Sequence, residues 1–202
     1  NILFILVDQM RPDTLDWNSE ATPNLSDLKE EGVEFTQSYA ASPLCQPSRA
    51  SIITGKYPMQ HNICGNRSKP ISKAERSNTF TKRLHENGYY TALIGKHHFY
   101  DYYNKGINVT RRVGEVEEFG FDYVHQVVDL EESIKNDSQY TEFLKRMGKL
   151  EEFRENFNED FYFSLNTKET VDGYIGEKAV DYIENYKKDA PLYLNIGFIG
   201  PH

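Results

Sequence analysis

Cys45 lies in the segment Ser42-Pro-Leu-Cys-Gln-Pro-Ser-Arg-Ala-Ser-Ile-Ile-Thr-Gly55, just ahead of a short helix that Pro47 should begin and Thr54-Gly55 should end. The free N–H groups and the dipole at a helix start favour an anion. Arg49, one turn in, adds a guanidinium that grips an oxyanion with two parallel hydrogen bonds. On chemistry alone this is an anion-binding turn with a potential nucleophile in it. A buried, inert cysteine beside an ordinary helical turn is the competing reading, and the residues by themselves leave both open.

Three apolar runs end on groups capable of chemistry. Asp8 and Gln9 follow Ile2 to Val7, Lys96, His97 and His98 follow Tyr90 to Gly95, and His202 follows Leu192 to Pro201. If these runs are strands of one parallel sheet, their carboxyl ends share an edge, where an acid, a lysine and histidines converge. Taken singly, each position is more simply the point at which a strand meets water.

The elements that must position these groups follow from local pattern. Ile2 to Val7 is a short, continuous apolar run suited to a strand buried on both faces. Thr22 to Gly32 carries a threonine N-cap, Pro23 at the first helical position and a glycine past the end. Val33 to Tyr39 reads as a strand, Pro47 to Ile53 as a second helix, and Asn78 to Asn87 as a third that leads into a strand at Tyr90 to Ile94. A strand is expected at Phe121 to Val128, helices at Gln139 to Asn156 and Thr170 to Lys187, and a last strand at Leu192 to Ile199. This alternation predicts one α/β domain, a mainly parallel sheet flanked by helices.

Composition narrows the functions. With 38% hydrophobic and 27% charged residues among 202, the chain has the balance of a globular protein. Lysine and arginine number 23 against 31 acids, a net charge of -8, which argues against nucleic acid or an anionic membrane as partner. The longest uninterrupted apolar run, Ile2 to Val7, is far short of the roughly 20 residues of a membrane span. Cys45 and Cys64 are too few for a disulfide framework and match no zinc pattern, so the compartment stays open. Both ends look cut, and a fragment of a longer protein is expected.

Cys45-Gln-Pro-Ser-Arg49 followed by Thr54-Gly55 resembles the Cys-x-Pro-Ser-Arg-x-x-x-x-Thr-Gly signature of the sulfatase family, within the alkaline phosphatase superfamily. Asn1 to Gln9 resembles the family's first strand and metal-ligand turn, Gly95-Lys-His-His98 its Gly-Lys-x-His element, and Pro201-His202 its Pro-His element. Thr22-Pro-Asn-Leu25 with Glu31-Gly-Val-Glu-Phe35 resembles its first helix and next strand. The resemblance implies an alkaline-phosphatase-like fold, truncated, with residues 1–202 the N-terminal part of a sulfatase catalytic domain and the C-terminal remainder absent.

It further implies that a maturation enzyme oxidises Cys45 to formylglycine, whose hydrate attacks the sulfur of a sulfate monoester and later expels sulfate as the aldehyde returns. Asp8, Gln9 and the modified Cys45 would ligate a divalent metal, calcium first, with magnesium or manganese as alternatives. Gln9 departs from the pattern, since many sulfatases carry a second aspartate there. An Asp-Gln pair occurs in the branch with phosphonate monoester hydrolases and choline-sulfatase-like enzymes. Arg49 matches the residue holding the formylglycine hydroxyls, Lys96 a sulfate-oxygen contact, His98 the base for the second hydroxyl, and His202 the group at the leaving oxygen, in contact with substrate.

The expected activity is sulfuric ester hydrolysis of a small-molecule or carbohydrate sulfate. The alternatives are a phosphonate monoester or phosphodiester hydrolase and a non-catalytic relative with unmodified Cys45. A later segment supplies the remaining metal ligands in relatives, so weak or no activity is expected of this piece alone, with exposed apolar surface promoting association. His61 and Asn66 lie near the expected pocket mouth, but their spacing compels no role. Lys56, Arg67, Lys69, Lys73 and Arg76 could form a basic patch, although a solvated loop is the simpler reading.

Overall fold

A computed structural model describes residues 1–14, 22–103, 106–157 and 165–202. Four strands, β1 (Ile2–Val7), β2 (Tyr90–Gly95), β3 (Tyr123–Gln126) and β4 (Leu192–Phe198), form one sheet in the order β1-β4-β2-β3, parallel throughout. β1 pairs with β4 from Ile2 opposite Tyr193 to Val7 opposite Phe198.

Successive side chains on a strand face opposite ways, and each face of this sheet has its own core. Ala92 and Ile94 of β2, with Leu192, Leu194 and Ile196 of β4, pack against Tyr140, Leu144, Phe153, Tyr174 and Ile175. Leu93 and Tyr193 face the other way, toward Ala50, Ile53, Phe99, Val116 and Phe119. The helices of the first layer are α8 (Gln139–Arg146), α9 (Leu150–Asn156) and α10 (Val171–Glu184). Those before them are α1 (Pro23–Glu31), α2 (Cys45–Thr54), α3 (Pro58–His61), α4 (Lys73–Arg76), α5 (Phe80–Glu86), α6 (Val113–Glu117) and α7 (Leu130–Ser133).

Several expectations are corrected. Val33 to Tyr39 is not a strand: Val33 and Phe35 are 78% and 79% exposed, and an alternating pattern without a neighbouring strand has nothing to pair with. The helix predicted over Gln139 to Asn156 is two helices, because Gly148 takes a left-handed φ of 72° between them. α2 begins at Cys45 rather than Pro47, so the cysteine is the first helical residue and the proline sits third, where its missing N–H costs nothing.

Two devices fix the sheet edge that carries the site. Gly95 and Gly197 stand opposite each other, and a Cβ on Gly197 would lie 2.0 Å from the Lys96 carbonyl oxygen, so only glycine lets β4 run this close to the start of the Lys96 turn. Asp172, in the first turn of α10, accepts from Ile199 N–H at 2.7 Å and Gly200 N–H at 2.8 Å. It ties the end of β4, and therefore the turn bearing His202, to the helix.

Candidate active site

All four strands run the same way, so their carboxyl ends lie on one edge, with Asp8 one residue past β1 and Lys96 one past β2. There a cavity of about 400 Å³ is lined by Asp8, Gln9, Cys45, Arg49, Asn66 and His202 among others. Five of these are the candidates that residue type and motif single out. Asn66 is the sixth, and its spacing alone compels no role.

Asp8 is the hub. Cys45 and Arg49 are four residues apart on α2, hence on one face, and both reach it: Cys45 Sγ is 3.5 Å from Asp8 Oδ1, and Arg49 Nη2 donates to Oδ2 at 3.1 Å. Arg49 Nη1 also donates to the Lys96 carbonyl at 2.7 Å, which locks α2 to the end of β2. The Lys96 ammonium lies 2.5 Å from Asp8 Oδ2. Burial by itself raises the Asp8 carboxyl, but Lys96 and Arg49 outweigh it and hold the group below its ordinary value. Burial, with Asp8 beside it and against the pull of Lys96, pushes the Cys45 thiol up. As a plain thiol Cys45 is therefore a poor nucleophile at neutral pH.

Lys96 is 2% exposed and is not part of the cavity wall. Its ammonium bridges Asp8 and Asp129, and Tyr102 O–H donates to the second Asp129 oxygen at 3.1 Å. Two buried carboxylates and two buried cations, Asp8 and Asp129 with Arg49 and Lys96, thus balance in charge, which a low-dielectric interior requires. Sequence reasoning missed Asp129. The signal was there: it follows Val127-Val128 beyond β3, the same strand-end position that revealed Asp8, Lys96 and His202.

His98 is also behind the wall, with a left-handed φ of 55° and its ring stacked on Tyr102 at 4.6 Å. Its Nε2 meets the Asn66 carbonyl at 3.2 Å; a carbonyl only accepts, so Nε2 carries the proton and Nδ1 the lone pair. That Nδ1 is buried and has no hydrogen-bond partner among the described residues. Burial, reinforced by Lys96 and Arg49 and opposed by Asp129, lowers the ring to about 4, so it is neutral at pH 7. Asn66 also accepts from Gln46 N–H at 3.0 Å, occupying one of the helix-start donors that the sequence assigned to an anion.

His97, which follows Lys96 at the same strand end, has both nitrogens used, by Gln126 at 2.8 Å and Phe99 N–H at 3.1 Å. His61 is spent likewise: Ile63 N–H donates to its Nδ1, leaving Nε2–H to hold Ser51 Oγ at 3.0 Å. Two members of the possible basic patch are neutralised, Lys56 by Glu75 at 2.9 Å and buried Arg76 by Glu118 at 2.9 Å. Cys45 and Cys64 are both free thiols.

The sulfatase family model matches residues 1–202. The chain belongs to the sulfatase family. Human arylsulfatase D is 34% identical over 139 residues, 62% of this chain and 22% of that protein. N-acetylglucosamine-6-sulfatase of Capra hircus is 27% identical over 210 residues, 100% of this chain and 34% of that protein. The structure of the phosphonate monoester hydrolase of Agrobacterium radiobacter superposes with a TM-score of 0.70 at 23% identity, covering 100% of this chain and 41% of that one, a likeness of fold. The chain spans about a fifth to a third of these curated relatives.

The sulfatase family implies a formylglycine and a divalent metal. The side chains present fit part of such a site. Asp8 offers a carboxylate, Gln9, exposed at φ 57°, an amide oxygen, and an oxygen in place of the Cys45 sulfur would complete three hard donors suited to calcium or magnesium. Among the described residues no group of three or more His, Cys, Asp or Glu could hold a metal. These donors are a part of the six to eight oxygens that calcium takes. No helix among the described residues is long and apolar enough to cross a membrane.

Proposed function

We propose that residues 1–202 are the nucleophile-bearing part of a sulfatase catalytic domain, and that the whole protein hydrolyses a sulfate monoester through a formylglycine made from Cys45. One observation carries this reading: Cys45, Arg49 and Lys96, from two separate motifs, converge on Asp8 at the cavity where the strands end. A hydrated aldehyde at position 45 supplies the attacking oxygen and a second hydroxyl for release of sulfate, and a hard divalent cation, calcium first, supplies Lewis acidity.

This chain's own side chains do the rest. Asp8 and Gln9 would hold the cation. Arg49 orients the oxygens on residue 45 while keeping α2 against β2. Lys96 keeps Asp8 ionised, and its positive charge would stabilise the charge that builds up on the sulfate oxygens in the transition state. His98, neutral with its lone pair on Nδ1, accepts the proton of the second hydroxyl. His202, exposed in the cavity wall, donates toward the leaving oxygen. The substrate class is a carbohydrate or small-molecule sulfate, in line with the sulfated sugar named for the Capra hircus relative.

A second reading keeps the same groups but exchanges sulfur for phosphorus. Gln9 supports it, since the Asp8-Gln9 pair resembles the pair of the branch with phosphonate monoester hydrolases. A non-catalytic anion-binding relative with Cys45 intact is the third. Peptide mass spectrometry across Ser42 to Lys56, after co-expression with a formylglycine-generating system, should show a loss of about 18 Da at Cys45. An unmodified thiol where a control sulfatase is converted rejects both hydrolase readings. Turnover of an aryl sulfate against an aryl phosphonate by the full-length protein then separates the first two.

A further inference from the structure

At the opposite edge of the sheet lies a second recess, of about 370 Å³, within the size range of ligand sites. Tyr90 opens β2, Tyr123 opens β3, and Tyr182 and Tyr186 sit on and just past the last turn of α10. Their rings form a continuous aromatic floor: Tyr123 and Tyr182 are 4.6 Å apart between centroids, Tyr90 and Tyr186 6.0 Å, and Tyr182 and Tyr186 6.3 Å. All four are partly exposed. A strand's length, roughly 20 Å, separates this floor from Asp8 and Lys96.

The rim is basic in a chain of net charge -8. Lys178, Lys187 and Lys188 line it, against Asp181 alone among the acids. Lys178 is 3.4 Å from Asp181, and Lys187 donates to the Glu184 carbonyl, which leaves its charge unpaired. Lys188 has no carboxylate partner among the described residues; its ammonium lies 4.4 Å over the Tyr90 ring. Two ammonium groups without a carboxylate partner among the described residues, one of them over a tyrosine face, match a ligand with flat C–H surfaces and fixed negative charges. An apolar peptide would leave the lysines buried and unpaired, and a bare anion would leave the rings unused.

We infer that this recess is a binding site for an anionic saccharide, sugar rings lying on the tyrosines and acid groups meeting Lys187 and Lys188. That the acid groups are sulfates rests on the proposed function; the binding itself does not. Such a site holds a sulfated chain at a distance from the catalytic cavity and raises the local concentration of esters to be cleaved.

Calorimetric titration of the full chain tests this, with a heparin-derived octasaccharide, its desulfated counterpart and inorganic sulfate as probes. The octasaccharide should bind the wild type and the Cys45→Ala variant alike, and Lys187→Glu with Lys188→Glu should weaken it roughly tenfold or more. Both lysines are exposed, so an unchanged thermal midpoint will show that the fold is intact. Tyr182→Phe, which keeps the ring, should bind as the wild type. Unchanged binding in the double lysine variant or no binding to the wild type overturns the inference, and equal binding of the desulfated chain, which keeps its carboxylates, overturns the assignment of the acid groups as sulfates. Aryl sulfate turnover by the full-length protein is read in parallel: its absence in the wild type counts against the proposed function and leaves the recess untouched.

Discussion

At the scale of single residues, the site is first of all an electrostatic balance. Asp129 holds Lys96 from the side away from Asp8, and its loss leaves a buried ammonium with one carboxylate fewer. Asp129→Ala should therefore cost about 3–5 kcal/mol in urea unfolding, the usual penalty for breaking a buried ion pair. Asp129→Asn, which still accepts from Tyr102, should cost less, and a change below about 0.5 kcal/mol in the alanine variant would refute the balance. The buried histidines give a pH signature of defined sign. Burial lowers His97 to about 3 and, with Lys178 and Arg146 adding to it, His125 to about 4, from 6.5. Between those values and 6.5 the unfolded chain binds more protons than the folded one, so stability falls as the pH drops from about 6.5 toward 4. His125→Gln keeps a donor for Tyr174 and should flatten that slope by close to one proton, measured as unfolding free energy at pH 7 and pH 5. An unchanged slope would mean that His125 is already charged in the folded state.

At the scale of elements, Asp172 is the test of how the site is held. Removing its carboxylate in Asp172→Ala leaves the Ile199 and Gly200 N–H groups without their acceptors. A loss of about 1–3 kcal/mol is expected, with faster hydrogen exchange at those two amides and unchanged exchange in β2. Uniform acceleration across the sheet would instead make Asp172 a general stabiliser. β1, β2 and β4 are legible in the sequence as continuous apolar runs, and the polar residues directly after them mark the site edge; the burial on both faces expected of Ile2 to Val7 is not found, because β1 lies at the edge of the sheet with Ile2, Leu3 and Ile5 exposed. Val33 to Tyr39 misleads because alternation says that a segment suits a half-buried strand, not that a partner is there to receive it. The start of α2 is displaced by two residues from its expected place because Pro47 is as welcome in the third helical position as in the first. Asp129 escapes notice although it directly follows the strand expected at Phe121 to Val128, because no motif marks it and its role depends on Lys96 reaching across from the neighbouring strand. The bridging place of Lys96 is not legible at all, since it depends on which strands become neighbours.

At the scale of the molecule, β1 is an edge strand whose Leu3 and Ile5 are 54% and 48% exposed, with Phe35 and Tyr39 also uncovered. Open edges with apolar faces recruit other chains, so the 202-residue chain should associate at micromolar concentration. Leu3→Lys with Ile5→Lys should shift it toward monomer in light scattering, and a monomeric wild type would refute this. The same strand order also has a consequence in time. β1 has a single neighbour in the sheet, and that neighbour, β4, begins at Leu192. A ribosome adding 5–20 residues per second needs roughly ten to forty seconds to pass from one to the other. Through that interval Asp8 has no sheet to hold it against Cys45, and under the proposed function the Cys45 segment would stay open to a modifying enzyme. Under the proposed function the order of the strands would work as a clock, delaying closure of the site while the Cys45 nucleophile is made.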